Sequence, residues 1–148
     1  MAIKVIATNR KAFHNYFILE SFEAGIALTG TEIKSIREGR ISLNEAYIRP
    51  ESGELYLTGA HIARYEPGSY MSHEPTRERK LLMHRKEINL LVSRVQERGL
   101  TLVPIKVYLK EGKAKLEVAL AKGKKLYDKR ETLKQKDSKR EIERKDHD

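Results

Sequence analysis

The apolar positions of this chain predict a domain of short β-strands that ends near residue 121. Positions 13–19 are rich in aromatic and β-branched residues, and an apolar run follows at 24–28. We predict that both belong to one long or bent first strand, with a bulge at Gly25. Residues 46–49 and 54–57 flank the turn sequence Pro50-Glu51-Ser52-Gly53, which predicts a hairpin.

A second hairpin is predicted around Glu111-Gly112, because apolar residues alternate with polar ones on both sides of this turn. The apolar set is Val103, Ile105, Val107, Leu109, Ala114, Leu116, Val118 and Leu120. The opposite face carries Lys106, Tyr108, Lys110, Lys113, Lys115 and Glu117. We therefore predict one core face and one basic face that displays an aromatic ring. Pro104 indicates an edge or a bulge near the start of this hairpin.

Two helices are predicted from their ends as well as their periodicity. Thr29-Gly30-Thr31-Glu32 has the form of a capping box, and Gly39 is placed to end that helix in a left-handed conformation. The second helix begins at His84 and ends at Gly99. Its apolar residues have the spacing i, i+3, i+4, i+7, namely Ile88, Leu91, Val92 and Val95.

About six strands with two to three helices predict a mainly β fold, an OB-like antiparallel β-barrel capped by helices. We assign residues 1–121 to this barrel domain and residues 122–148 to a basic C-terminal tail. Residues 61–78 have little pattern, which indicates a long loop or a broken edge strand. The tail has good helix propensity but few apolar residues, so we expect it to be disordered alone and helical against a partner.

The charge distribution favours an anionic partner. The chain has 30 Lys and Arg against 21 Asp and Glu, a net charge of +9. Residues 122–130 hold five basic residues and one acid, while residues 131–148 hold six of each. A dense positive block beside a glycine is typical of phosphate binding, and a solvated terminus is the alternative. The tail has no broad apolar face for a membrane surface, so nucleic acid is favoured.

Few aromatic residues and no Trp disfavour sequence-blind binding of single strands, which needs stacking platforms. A folded RNA held by its phosphates and shape fits better. A constitutive ribosomal protein with a barrel and a basic extension is an alternative.

Little in the sequence indicates catalysis. The chain has no Cys, which excludes a disulfide or thiolate metal site and suits a reducing cytosol. Its five His lack metal-ligand spacing, and no apolar run approaches a membrane span. Glu20, Glu23 and Glu32 leave one enzymatic alternative, a metal-dependent nuclease, against the simpler interpretation of a capping residue and solvent-facing acids.

Several motifs together resemble one known family. They are Asn9-Arg10-Lys11-Ala12, residues 22–28, Gly30-Thr31-Glu32-Ile33-Lys34-Ser35-Ile36-Arg37, Arg79-Lys80-Leu81-Leu82, Ala121-Lys122-Gly123-Lys124-Lys125 and Asp128-Lys129-Arg130. In this order and spacing they resemble the SsrA-binding protein, also called small protein B. The resemblance implies a bacterial cytoplasmic protein that is not an enzyme. It implies binding to the tRNA-like domain of transfer-messenger RNA, and delivery of that RNA to stalled 70S ribosomes for trans-translation.

The resemblance also implies roles for individual residues. The RNA-binding set is Asn9, Arg10, Tyr16, Glu23, Leu82, Lys115, Lys122, Lys124 and Lys125. The tail set, expected in the mRNA channel near the decoding centre of the small subunit, is Tyr127, Asp128, Lys129, Arg130, Lys134, Lys136, Lys139 and Arg140. Tyr127 stands where some members carry His, so stacking is retained there and protonation is not. We expect a monomer that needs no cofactor and no metal and binds no membrane.

Overall fold

A computed structural model of the chain describes residues 3–65 and 73–124. Within these ranges the chain forms nine strands and three helices. In chain order they are β1 (Ile3–Thr8), α1 (Arg10–Asn15), β2 (Tyr16–Ile26), α2 (Gly30–Arg37), β3 (Ile41–Ser42), β4 (Tyr47–Glu51), β5 (Glu54–Thr58), β6 (His61–Ile62), β7 (Arg79–Leu82), α3 (Arg85–Arg98), β8 (Thr101–Lys110) and β9 (Lys113–Gly123).

Seven strands form one antiparallel sheet in the order β1-β8-β9-β2-β7-β5-β4, and β3 pairs with β6 in a second small sheet. The large sheet bends enough for β4 to contact β8. Its edge strands β1 and β4 are not hydrogen-bonded to each other in the described ranges. The predicted β-rich, OB-like class is therefore confirmed, whereas the predicted closure into a barrel is not.

The long strand predicted from residue 13 onward corresponds to β2. It is shorter than predicted, because residues 13–15 belong to α1. Asn9 caps this helix, since its Oδ1 accepts a hydrogen bond from the Ala12 backbone N–H at 3.3 Å. The irregularity in β2 lies between Ile18 and Glu20, where the register with β9 shifts. The predicted bulge at Gly25 was therefore misplaced by several residues.

β1 is a strand that the sequence pattern did not predict. It pairs with β8 along one side only and forms an edge of the large sheet. Ile3 and Val5 remain about half exposed there. An edge strand that buries so little need not alternate strictly between apolar and polar residues, so its sequence carries no clear pattern.

The β8–β9 hairpin is confirmed, including the turn and a bulge just after Pro104. The bulge reverses the direction of the following side chains. Val103 and Ile105 therefore pack with Ala119, Ala121 and Ala12 in a small cluster beneath α1. Val107, beyond the bulge, faces the main core instead. The prediction that all four apolar residues of β8 share one face was wrong for this reason.

Both predicted helices are confirmed at their ends. In α2, Glu32 N–H donates to Thr29 Oγ1 at 3.3 Å, and Thr29 N–H donates to Glu32 Oε1 at 2.8 Å. Gly39 and Gly99 have φ of 79° and 65°, the left-handed conformation expected where α2 and α3 end. Ile36 of α2 and Leu91 of α3 are fully buried in the main core, so each helix covers the sheet with its apolar face.

Glu32 also holds two distant arginines. Its Oε2 lies 2.7 Å from Nη2 of Arg79, and both side chains are fully buried. Its Oε1 lies 2.7 Å from Nη2 of Arg77. Arg79 further donates to the backbone oxygens of Ala60 and Pro75. This ion cluster joins α2 to β7. Through Ala60 and Pro75 it also joins the segments on either side of residues 66–72, the part of the predicted 61–78 loop that lies outside the described residues.

Residues 125–148, most of the predicted tail, lie outside the described residues. β9 continues two residues past the predicted boundary at 121 and ends at Gly123. Lys124 N–H then donates to the Asn15 carbonyl at 2.9 Å, which fixes the end of β9 beside α1. No helix in the described ranges is long and apolar enough to span a bilayer.

Candidate nucleic-acid interface

Three residues that are far apart in sequence line one surface groove of about 490 Å³. They are Glu23, Leu82 and Lys115, all named in the predicted RNA-binding set. The pairing of strands explains their meeting, because Gly25 of β2 lies opposite Leu82 on β7 and opposite Lys115 on β9. The central position of β2 between β9 and β7 thus assembles the groove.

Leu82 is an apolar surface residue in this groove and is 52% exposed. It lies across Gly25, where a Cβ atom would come within 3.3 Å of the Leu82 Cβ. Gly25 therefore favours the close approach of β7 to β2 and is not the site of a bulge. An exposed leucine beside charged residues offers cover for a sugar or an unstacked base.

Glu23 accepts a hydrogen bond from the Tyr108 hydroxyl at 2.7 Å and lies 3.3 Å from Lys110 Nζ. The hydrogen bond from Tyr108, and then that from Lys110, lower the pKa of Glu23 below its usual value and outweigh the opposing effect of burial. Burial, and then the neighbouring Glu23, raises the pKa of Tyr108. Both bonds involve Oε1, and Oε2 accepts no hydrogen bond from the described residues. Glu23 is therefore an ionised, oriented acceptor.

Tyr108 itself corrects the predicted basic face. The hairpin pattern predicted an exposed aromatic ring, but Tyr108 is only 7% exposed. Its ring lies beneath the surface, and only its hydroxyl acts at the groove, through Glu23. The face is also less positive than predicted, because Lys106 pairs with Glu117 at 3.5 Å and Lys110 with Glu23.

Replacing Tyr108 with Phe tests how Glu23 is held. The variant removes only the hydroxyl, so the pKa of Glu23 should rise toward its ordinary value. The folded protein should lose about 1 kcal/mol of stability. NMR titration of the Glu23 side chain measures the pKa, and chemical denaturation measures the stability. An unchanged Glu23 pKa would show that the cation Lys110 holds the carboxylate by itself.

The groove also contains charged residues outside the predicted RNA-binding set. Lys80 and Arg85 approach the same carboxylate, that of Glu54, at 3.8 and 2.7 Å. Lys115, by contrast, has no ion pair within 4.0 Å among residues 3–65 and 73–124. Lys80 and Arg85 are close to Leu82 in the sequence, and this proximity could have indicated that they lie in the groove.

The other predicted RNA-binding residues lie elsewhere. Tyr16 and Asn9 line a second depression of about 260 Å³, but Asn9 is buried and its Nδ2 donates to the Pro104 carbonyl at 2.9 Å. Arg10 is exposed on α1. Lys122 is exposed opposite Phe17, and Lys124 Nζ lies 5.1 Å from the centroid of the same ring.

These residues are remote from the groove. Lys115 and Gly123 are both on β9, eight residues apart, a span of roughly 26 Å in an extended strand. Lys125 and the whole predicted tail set lie outside the described residues; that set is Tyr127, Asp128, Lys129, Arg130, Lys134, Lys136, Lys139 and Arg140.

The nuclease alternative fails on geometry. Glu32 is buried between Arg77 and Arg79, and Glu20 lies 3.8 Å from Arg94. Glu23 is bound to Tyr108 and Lys110, so each acid has its own partner. The described part of the chain contains no group of His, Asp or Glu able to hold a metal ion.

A family model described as SmpB protein matches residues 6–148, nearly the whole chain. The chain belongs to the SmpB family. Proteins of the SmpB family bind RNA and are not enzymes.

Two relatives carry the name of the same family. The chain is 60% identical over 139 residues to an SsrA-binding protein of Dehalococcoides mccartyi strain 195, covering 94% of this chain and 81% of that protein. It is 59% identical over 141 residues to the SsrA-binding protein of Shouchella clausii, covering 95% and 90%.

Among solved structures, the chain is similar to one described as "tmRNA-SmpB: a journey to the center of the bacterial ribosome". The TM-score is 0.69 at 49% identity, and the match covers 93% of this chain and 97% of that one.

Proposed function

We propose that this protein binds the tRNA-like domain of transfer-messenger RNA and delivers it to stalled ribosomes for trans-translation. The observation that carries this proposal is the groove in which Glu23, Leu82 and Lys115 meet. Membership of the SmpB family, with relatives named SsrA-binding protein, supports the RNA and ribosome partners. A protein with these partners would act in the cytoplasm.

The groove offers three different contacts to a folded RNA. Lys115, which has no ion pair among the described residues, would meet a phosphate. Leu82 would cover a sugar or a splayed base. Glu23 is repelled by phosphate, so its free oxygen would accept from a base amine or a 2′-OH, which is how RNA can be distinguished from DNA. This combination favours a structured RNA of defined shape over any polyanion.

The experiment that tests this proposal is identification of the RNA that copurifies with the tagged full-length protein. Enrichment of transfer-messenger RNA over tRNA and ribosomal RNA is expected. Recovery of bulk RNA in proportion to its abundance would contradict the proposal.

Replacing Lys115 with Ala should weaken binding to the tRNA-like domain by roughly threefold to tenfold and lower its salt slope by about one unit. The reason is the loss of one phosphate contact. Titrations between 50 and 200 mM salt, about the range in which such contacts are most visible, measure both. Lys86→Ala, which removes an exposed cation of α3 outside the lining of the groove, is the matched control. An unchanged slope would remove Lys115 from the phosphate contacts.

The basic charge of the chain also suits a permanent ribosomal protein. Stoichiometry separates the two functions, because a structural protein would be present on nearly every purified ribosome. A rescue factor should be found on a small fraction, and this fraction should rise when messages lack stop codons.

A further inference from the structure

Glu54 lies in the wall of the groove and is shared by two cations. Arg85 Nη2 lies 2.7 Å from Glu54 Oε2 and Lys80 Nζ lies 3.8 Å from it. Arg85 also donates to the backbone oxygen of Gly53, in the turn that precedes Glu54. Only 23% of the Glu54 side chain is exposed, against 45% for Lys80 and 57% for Arg85. The carboxylate is therefore set back, while both cations reach the solvent.

The groove is consequently not a simple positive surface. The residues that line it include three cations and three acids, namely Lys80, Arg85, Lys115, Glu23, Glu54 and Glu87. Two of the three cations are occupied by one carboxylate, and Lys115 alone has no ion pair among the described residues. The bond from Arg85 lowers the pKa of Glu54, so Glu54 is ionised at neutral pH.

We propose that Glu54 is a specificity-determining residue, which withholds Lys80 and Arg85 from RNA phosphates unless a ligand presents phosphates to both cations at once. This inference rests on the proposed RNA-binding function of the groove. A phosphate near only one cation must compete with a carboxylate that is already in place, and the other cation keeps that carboxylate oriented. A fitted RNA backbone presents phosphates to both cations together and so replaces Glu54 as the partner of each.

The same carboxylate would also add to the cost of binding. When a phosphate draws a cation away, Glu54 is left less compensated beside a polyanion, and only an RNA that gains both phosphate contacts offsets this cost. Like charges brought together at an interface disfavour wrong partners more than they strengthen the right one. Specificity would then come from the cost of disturbing the Lys80–Glu54–Arg85 arrangement, which only a complementary surface offsets.

Glu54→Gln is the direct test, since glutamine keeps the shape and an acceptor oxygen for Arg85 but removes the charge. We expect its affinity for an unrelated RNA hairpin of matched length to rise about tenfold, and the salt slope to steepen by up to about two units. Affinity for the tRNA-like domain should rise less than about threefold. Fluorescence anisotropy with both RNAs measures these changes.

Glu97→Gln is the matched control, because it makes the same change of net charge near the end of α3, where Glu97 is exposed. It should change both affinities equally and slightly. The double variant Glu54→Gln with Lys80→Ala should lose part of the gain, because one freed cation is gone. Equal gains for the two RNAs in Glu54→Gln, or no gain for the hairpin, would overturn the proposal.

The outcome remains distinguishable from a failure of the proposed function. If the wild-type protein shows no preference for the tRNA-like domain over the hairpin, the proposed function fails before any variant is compared. If the wild type discriminates and Glu54→Gln discriminates equally well, only the role of Glu54 is overturned. Thermal denaturation of the variant guards against a third result, since loss of folding would abolish the binding of both RNAs.

Discussion

Glu32→Gln is expected to destabilise the folded protein by about 3 to 5 kcal/mol. The substitution leaves Arg79, which is fully buried, without its anion. Removing one partner of a buried ion pair is costly because the other charge stays desolvated and uncompensated. Glutamine retains the size of glutamate and an oxygen that can accept from Thr29 N–H. Any loss therefore reports the missing charge and acceptor oxygen rather than a cavity or a missing helix cap.

Denaturant unfolding of the full chain measures this difference. Glu45→Gln is the matched control, because Glu45 forms an exposed pair with Lys11 at 3.0 Å. That variant should lose less than about 1 kcal/mol, as is usual for ion pairs in solvent. A Glu32→Gln loss no larger than the Glu45→Gln loss would show that the charge of Glu32 contributes little to the stability of the cluster.

The same carboxylate gives the wild type an acid-dependent stability. Burial alone would raise the pKa of Glu32, but hydrogen bonds from Arg77, Thr29 and Arg79 outweigh it and lower the pKa from 4.5 to about 2. The folded state binds this proton less tightly than the unfolded state does. The contribution of Glu32 to the free energy of unfolding is therefore fully present above about pH 5 and is lost as the pH falls toward 2. The loss should reach about 3 kcal/mol and be absent in Glu32→Gln.

Local patterns in the sequence were sufficient where one short segment determines the structure. Thr29-Gly30-Thr31-Glu32 predicted the start of α2, because both partners of a capping box lie within one turn. The alternation around Glu111-Gly112 predicted the β8–β9 hairpin in the same way. The second function of Glu32 could not be predicted, since Arg77 and Arg79 are 45 and 47 residues away. The position of β7, and of the residues just before it, brings them to α2.

The candidate site also depends on contacts between distant residues that local patterns could not predict. Glu23, Leu82 and Lys115 were named through resemblance, and no periodicity links them. Their meeting depends on Gly25 pairing with two different strands. The pairing of Lys80 and Arg85 with Glu54 likewise depends on β5 lying beside β7. Tyr108 was misassigned to the surface because alternation gives the face of a residue but not what covers that face.

Removing residues 131–148 is expected to leave affinity for the tRNA-like domain within about twofold while abolishing peptide tagging on stalled ribosomes. The proposed RNA groove lies wholly within the described residues, and Lys115 precedes the end of β9 by eight residues. The deleted segment holds six basic and six acidic residues, so its loss leaves the net charge of +9 unchanged. Long-range attraction of RNA should therefore persist.

Anisotropy with the tRNA-like domain measures the first quantity, and tagging of a peptide from a message without a stop codon measures the second. Lys115→Ala with an intact tail is the matched comparison. It should weaken RNA binding, and its tagging should recover when RNA is supplied in excess. The truncated protein should not recover under that condition, because its proposed defect follows RNA binding. Loss of RNA affinity in the truncated protein would contradict the assignment of RNA binding to the groove and of ribosome engagement to the tail.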